Sequence, residues 1–159
     1  MLTLADIIEA ITQVRPSGAG GALRTAQVIT EATVDSRQVI PGSLFVALPG
    51  ERLDGHDFVG AAFEQGAQFA FVQRDMRGQF PVLDLRQANV ETQNVTETQY
   101  LASLPAEGPL CLWVDDTLAA LQQTARFWRR KLNLRVIGIT GSIGKSTTKE
   151  LVAEVLSQR

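Results

Sequence analysis

Residues 135–148 read RVIGITGSIGKSTT. The apolar run Leu134–Thr140 enters a turn built on Gly141 and Gly144, and in Thr147–Leu156 the residues Leu151, Val152 and Val155 recur at helical spacing. A buried strand, a glycine turn and a helix in that order suit phosphate binding. Gly141 and Gly144 let the backbone wrap closely and turn successive N–H groups inward. The helix that follows presents its N-terminal amides and the positive end of its dipole. Lys145 supplies a mobile positive charge for β/γ-phosphates, and the Ser146 hydroxyl suits Mg²⁺. Gly141, Ser142, Ile143, Gly144, Lys145, Ser146 and Thr147 are therefore the expected phosphate-binding residues. The longer form of this motif has glycine where the chain has Ile139, so the match is to the shorter Thr-Gly-x-x-Gly-Lys-Ser. Its position between an apolar strand and a helical pattern sets it apart from a plain strand–helix turn with an exposed lysine.

Upstream, the patterning alternates between short strands and helices. Thr3 can cap a helix with Asp6 in its first turn and Leu4, Ile7, Ile8 and Ile11 at helical spacing, ending before Pro16. Val28–Val34, Ser43–Leu48, Phe69–Val72 and Pro81–Leu85 are strand candidates, with turns at Pro41-Gly42, Pro49-Gly50 and Asp54-Gly55. Phe58, Ala61, Ala62 and Phe63 mark a helix ending at Gly66. Residues 86–108, rich in Gln, Asn, Thr and Glu, lose periodicity and read as a linker or irregular loop. Leu110–Val114 resumes as a strand, and a helix from Asp116 or Thr117 places Leu118, Leu121, Ala125, Trp128 and Leu132 on one face. The fold class is α/β: a small mixed unit, then the first strand–loop–helix of a parallel sheet. The division reads 1–85, 86–108 and 109–159.

Composition narrows the function. The 159 residues are 45% hydrophobic and 20% charged, with a net charge of −2. This is ordinary globular material with no general attraction to nucleic acid. No run approaches the ~18–20 apolar residues of a membrane span, and the N-terminus lacks the basic start and apolar stretch of a signal peptide, so the expected location is the cytoplasm. The one cysteine, Cys111, lies in an apolar run and reads as a buried, inert thiol. Trp113 and Trp128 read as core. Arg126, Arg129, Arg130 and Lys131 form a solvated basic face late in a helix, where they suit its dipole.

The segment Gly138–Thr147 resembles the phosphate loop of Mur ligases and folylpolyglutamate synthases, with Ile143 where a small or polar residue is commoner. The N-terminal half independently resembles Mur ligases. Asp35-Ser36-Arg37, Pro41-Gly42-Ser43-Leu44-Phe45-Val46-Ala47-Leu48, Gly50, Asp54-Gly55-His56-Asp57-Phe58, Ala61-Ala62 and Gly66-Ala67 follow in the family's order. His56-Asp57-Phe58, Val114–Leu121 and Thr148-Lys149-Glu150 are most similar to the branch that adds D-Ala-D-Ala, rather than the branch that adds the third residue of the peptide.

The resemblance implies a three-domain, ATP- and Mg²⁺-dependent ligase. Its first domain, residues 1–85 here, would hold the UDP part of UDP-MurNAc-tripeptide. Residues 109–159 would begin the central ATP-binding domain. The substrate carboxylate is phosphorylated by ATP, the amine of D-Ala-D-Ala attacks the acyl phosphate, and Lys145 and Mg²⁺ neutralise charge on the phosphoryl group. Ser36 and Arg37 suit the UDP side, since a hydroxyl and a guanidinium fit a diphosphate or a uracil edge. The competing reading has Asp35-Ser36-Arg37 closing a strand with Asp35 and Arg37 paired. Asp54, Gly55 and His56 are expected to line the same pocket, with His56 capping or contacting substrate rather than serving as a general base. Since the acidic Mg²⁺ ligands and purine pocket come later in the family, the isolated 159 residues are expected to show no turnover. Their incomplete second sheet is expected to leave apolar surface available for self-association. Two other readings are a non-catalytic assembly module on the same fold, which ligand binding by the first part would exclude, and a small phosphate-loop kinase, for which no sequence remains after the loop.

Overall fold

The computed structural model describes residues 1–16, 22–86 and 108–157. Most of the 86–108 stretch thus lies outside the described residues. Helix α1, Leu4–Thr12, begins at Thr3, whose hydroxyl accepts from the Asp6 N–H while the Asp6 carboxylate accepts from the Thr3 N–H. This reciprocal cap satisfies two backbone donors that a helix start otherwise leaves open. The helix ends at Gln13, in the left-handed region at φ 62°. A short helix, α2, spans Ala22–Thr25.

Among the described residues five strands follow: β1 Ala32–Thr33, β2 Leu44–Val46, β3 Phe69–Val72, β4 Val82–Asp84 and β5 Leu110–Trp113. They form one sheet in the order β1-β2-β3-β5-β4, every pairing parallel. Helix α3, Val59–Glu64, lies between β2 and β3 in the chain, and α4, Thr117–Lys131, follows β5. The central strands are buried from end to end, as a parallel sheet covered on both faces requires. Alternate residues feed two cores. Leu44, Val46, Phe69, Phe71, Leu110 and Leu112 meet Leu4, Ile7 and Ile11 of α1 and Ala120 of α4. Phe45, Ala70, Val72 and Cys111 meet Val59 and Ala62 of α3 on the other face.

The strand expected to open a second unit lies inside this sheet. β5 pairs with β3 from Phe69↔Leu110 to Val72↔Trp113 and with β4 from Val82↔Cys111 to Asp84↔Trp113. Helix α4 packs on α1. Residues 110–131 are therefore built into the first sheet and its helical cover rather than beginning the next, because strand pairing is set by the apolar faces available in space and not by distance along the chain. The face of α4 also differs from the expected one. Thr117, Ala120 and Thr124 are buried and Leu121 packs against the first core as expected, whereas Leu118 and Ala125 are exposed. Trp113 is half-buried and packs against the second core as expected, under the Arg86 guanidinium at 3.3 Å, and Trp128 is half-buried.

Beyond α4 the chain changes character. Leu134–Thr140, expected as a strand, joins no ladder, and Leu134, Val136 and Ile137 are exposed. A strand needs a neighbour for its N–H and C=O groups, and among the described residues this run has none. Helix α5, Lys145–Ser157, buries no side chain, and Leu151, Val155 and Leu156 stand exposed. No helix among the described residues is long and apolar enough to cross a membrane.

Candidate functional site

Because β1, β2, β3 and β5 run parallel, the segments leaving their C-terminal ends gather at one edge of the sheet, where open α/β sheets bind ligands. Asp35, after β1, caps a 3₁₀ turn over Ser36–Gln38 by accepting from the Arg37 N–H at 3.1 Å. The same carboxylate takes a two-pronged ion pair from the Arg37 side chain, Nε to Oδ1 at 2.9 Å and Nη2 to Oδ2 at 2.8 Å. That side-chain bond, helped by the backbone N–H, holds the Asp35 carboxyl below its ordinary range. The Arg37 side chain is 85% exposed. The pairing expected as the structural reading of Asp35-Ser36-Arg37 is thus present, and it leaves the rest of the guanidinium facing solvent.

The segment after β2 carries Asp54, Gly55 and His56. Gly55 packs on Leu48: its N–H donates to Leu48 O at 2.9 Å, and a Cβ there would lie 2.7 Å from Leu48 N and O. Asp54 caps a second 3₁₀ turn, Gly55–Phe58, through the His56 N–H. His56 itself is buried. Its Nε2 accepts from the Gln73 N–H at 2.9 Å, so Nδ1 carries the proton and donates to Asp54 Oδ1 at 2.5 Å. With both ring nitrogens engaged inside the chain, His56 builds the loop and offers no nitrogen to a ligand. Bonds from the His56 backbone and ring, the backbone first, hold the Asp54 carboxyl below its ordinary range. Arg74, at the end of β3, bridges Asp54 Oδ2 at 3.3 Å and Asp57 Oδ1 at 2.7 Å. Neither Arg74 nor Gln73 sits in a motif legible in sequence; both follow a plain apolar strand.

The phosphate loop follows the exposed extension beyond α4. Gly141 has φ 147° and Gly144 φ 79°, conformations that side-chain-bearing residues rarely adopt. The next residue, Lys145, begins α5, with its ammonium turned back onto Gly141 O. Thr148 N and Oγ1 both donate to Gly144 O at 2.9 Å, fixing the first turn. Ser142, Ile143, Ser146 and Thr147 are exposed around it. Among the described residues no three His, Cys, Asp or Glu side chains are placed to hold a metal.

Residues 28–129, which include all five strands, match the family model described as "Mur ligase family, catalytic domain". The UDP-N-acetylmuramoyl-tripeptide–D-alanyl-D-alanine ligase of Synechocystis is 37% identical over 130 residues, 82% of this chain and 23% of the relative. The UDP-N-acetylmuramoyl-L-alanyl-D-glutamate–2,6-diaminopimelate ligase of Synechococcus is 33% identical over 159 residues, 98% of this chain and 26% of the relative. Among solved structures, MurF from Acinetobacter baumannii superposes with a TM-score of 0.59 at 31% identity, covering 97% of this chain and 27% of that one. MurF from Thermotoga maritima in complex with ADP gives 0.53 at 27% identity, covering 81% and 23%. The chain spans about a quarter of the length of these proteins. With the family model matched over residues 28–129, the chain belongs to the Mur ligase family.

Proposed function

We propose that this chain is the substrate-binding and phosphate-loop portion of an ATP-dependent peptidoglycan-precursor ligase that joins D-Ala-D-Ala to UDP-MurNAc-tripeptide. The observation that supports the reading is that the segment with Ser36 and the exposed Arg37 leaves β1, and the segment with Asp54–His56 leaves β2, at the same C-terminal edge of two neighbouring parallel strands. Arg37 N–H groups not used by Asp35 suit a diphosphate, and Ser36 and the Asp54-Gly55 backbone suit the rest of the UDP moiety. His56 serves there by shaping the loop.

Residues 1–131 form the substrate unit on this reading, and the second unit begins after α4 rather than at residue 109. Gly141–Thr147 bind the phosphates of ATP, with Lys145 as the catalytic cation. The Ser146 hydroxyl would supply a protein ligand to Mg²⁺, an ion that binds through few protein groups and would neutralise charge on the phosphates. ATP transfers its γ-phosphoryl to the tripeptide carboxylate. The amine of D-Ala-D-Ala then attacks the acyl carbon and loses a proton as inorganic phosphate leaves. Turnover requires the remaining length present in the relatives, and the cytoplasm, where ATP is available, is the proposed location. A second reading, a diaminopimelate-adding ligase, draws on the Synechococcus relative.

Calorimetric titration of the chain with UDP-MurNAc-tripeptide, UDP-MurNAc-L-Ala-D-Glu, UMP and ATP tests both. Saturable binding of the tripeptide form, weakened roughly tenfold or more by Arg37→Ala as for a lost charged hydrogen bond, is the expected result. Preference for the dipeptide form selects the second reading. A folded chain that binds neither overturns the substrate assignment.

A further inference from the structure

We infer that Gln73 and Thr117 are positioning residues for the substrate segment Leu48–Phe58, an inference that rests on the substrate reading above. Three strand ends meet at Gln73. Its main-chain N–H donates to His56 Nε2 at 2.9 Å, and its side-chain Oε1 accepts from the Thr117 N–H at 3.1 Å. Thr117 is fully buried, and its hydroxyl lies 3.0 Å from Ala47 O and 3.1 Å from Gln73 Oε1. A hydroxyl has one proton, so it donates to one acceptor at a time; Gln73 Oε1 already accepts from the Thr117 N–H, which leaves the hydroxyl proton for Ala47 O.

The consequence is a chain of bonds from the β5–α4 junction to both ends of the segment after β2. Ala47, where the segment leaves the sheet, is held by Thr117. His56, near its far end, is held by Gln73. Gly55 closes the segment onto Leu48 between those two anchors. Asp116 already caps α4 by accepting from the Ala119 N–H at 2.8 Å. The Thr117 N–H, also in the first turn of α4, therefore needs a second acceptor, and Gln73 Oε1 provides it from another strand. Helix capping alone does not require a residue that also orients His56; this bond pattern makes the position of Asp54–His56 depend on where α4 begins.

The test compares Thr117→Val, which keeps shape and removes the hydroxyl, with Thr117→Ser, which keeps the hydroxyl, and with Gln73→Leu. Two readouts on the 159-residue chain are amide hydrogen exchange over residues 48–58 and affinity for UDP-MurNAc-tripeptide, with thermal unfolding in parallel. Thr117→Val and Gln73→Leu are expected to speed exchange in that segment and weaken binding roughly tenfold, while Thr117→Ser stays near the parent. Should Thr117→Val fail to fold, Gln73→Leu decides. Unchanged segment exchange in a folded variant lacking the hydroxyl or the amide overturns the inference, as does a Thr117→Ser chain as loose as Thr117→Val. If the parent chain binds no UDP-peptide, the substrate reading falls by itself, and exchange still decides whether Gln73 and Thr117 hold the segment.

Discussion

Lys131 Nζ lies 2.7 Å from Asp6 Oδ1, tying the last turn of α4 to the first turn of α1. Arg15 reaches the same oxygen at 3.1 Å and Glu9 at 2.6 Å, and Lys131 lies 3.6 Å from Glu9. Asp6 is buried, which raises its pKa, but bonds from Lys131, Thr3 and Arg15 outweigh burial and bring it from 3.8 to about 2. A depressed carboxyl pKa adds stability that is present above the unfolded value and lost as pH falls through the folded one. Asp6 is therefore expected to contribute about 2 kcal/mol above pH ~4 and progressively less down to pH ~2. Urea unfolding of the parent and Asp6→Asn across pH 2–6 checks this (an approximate range spanning both pKa values): the difference between the two should shrink on acidification, and a constant difference would refute it.

Lys131→Met is expected to destabilise the chain by about 1–3 kcal/mol, since it removes one partner from a buried carboxylate. Arg130→Met, at an exposed neighbour in the same turn, is expected to change stability by no more than about 0.5 kcal/mol. Denaturant midpoints of the two variants separate an anchor from a merely solvated basic face.

Burial raises the Cys111 thiol from 9.0 to about 12, and the side chain is fully enclosed in the core between the sheet and α3. The native chain is expected to resist a thiol reagent at pH 8, an approximate choice well below that pKa, and to react only on unfolding. Labelling as rapid as that of a free thiol would contradict this.

Gly55→Ala places a methyl 2.7 Å from the Leu48 backbone, where neither atom can yield without moving the segment. A loss of about 1–3 kcal/mol is expected, as for overpacking. Gly78→Ala, with nothing within 4 Å of the new Cβ, serves as the tolerated control in the same thermal unfolding series.

If the proposed function holds, Lys145→Ala in a ligase of the relatives' length is expected to reduce ATP-dependent turnover by roughly a hundred- to a thousandfold, because it removes charge neutralisation at the transferring phosphoryl group. The unfolding midpoint of the 159-residue chain should stay unchanged, since Lys145 is exposed and its bond is to its own loop. Retained turnover would remove Lys145 from the mechanism.

Much of this molecule is determined by local chemistry and so was legible in the sequence. Thr3 with Asp6 defines the start of α1, Phe69–Val72 is a strand on composition alone, and Asp116 starts α4. The glycines of the phosphate loop announce the positive φ angles found at Gly141 and Gly144. Each depends on neighbours a few residues away. What only the tertiary structure decided are relations between distant residues. β5 pairs between β3 and β4 because its two apolar faces complete both cores, so the strand at 110 belongs to the first sheet. Leu134–Thr140 carries a strand's composition yet joins no ladder among the described residues, because composition supplies faces but not partners. His56 is committed to Asp54 and Gln73, and Gln73 to Thr117, by packing that brings three strand ends together. No periodicity encodes those contacts: they exist only once the parallel sheet has placed its C-terminal ends side by side.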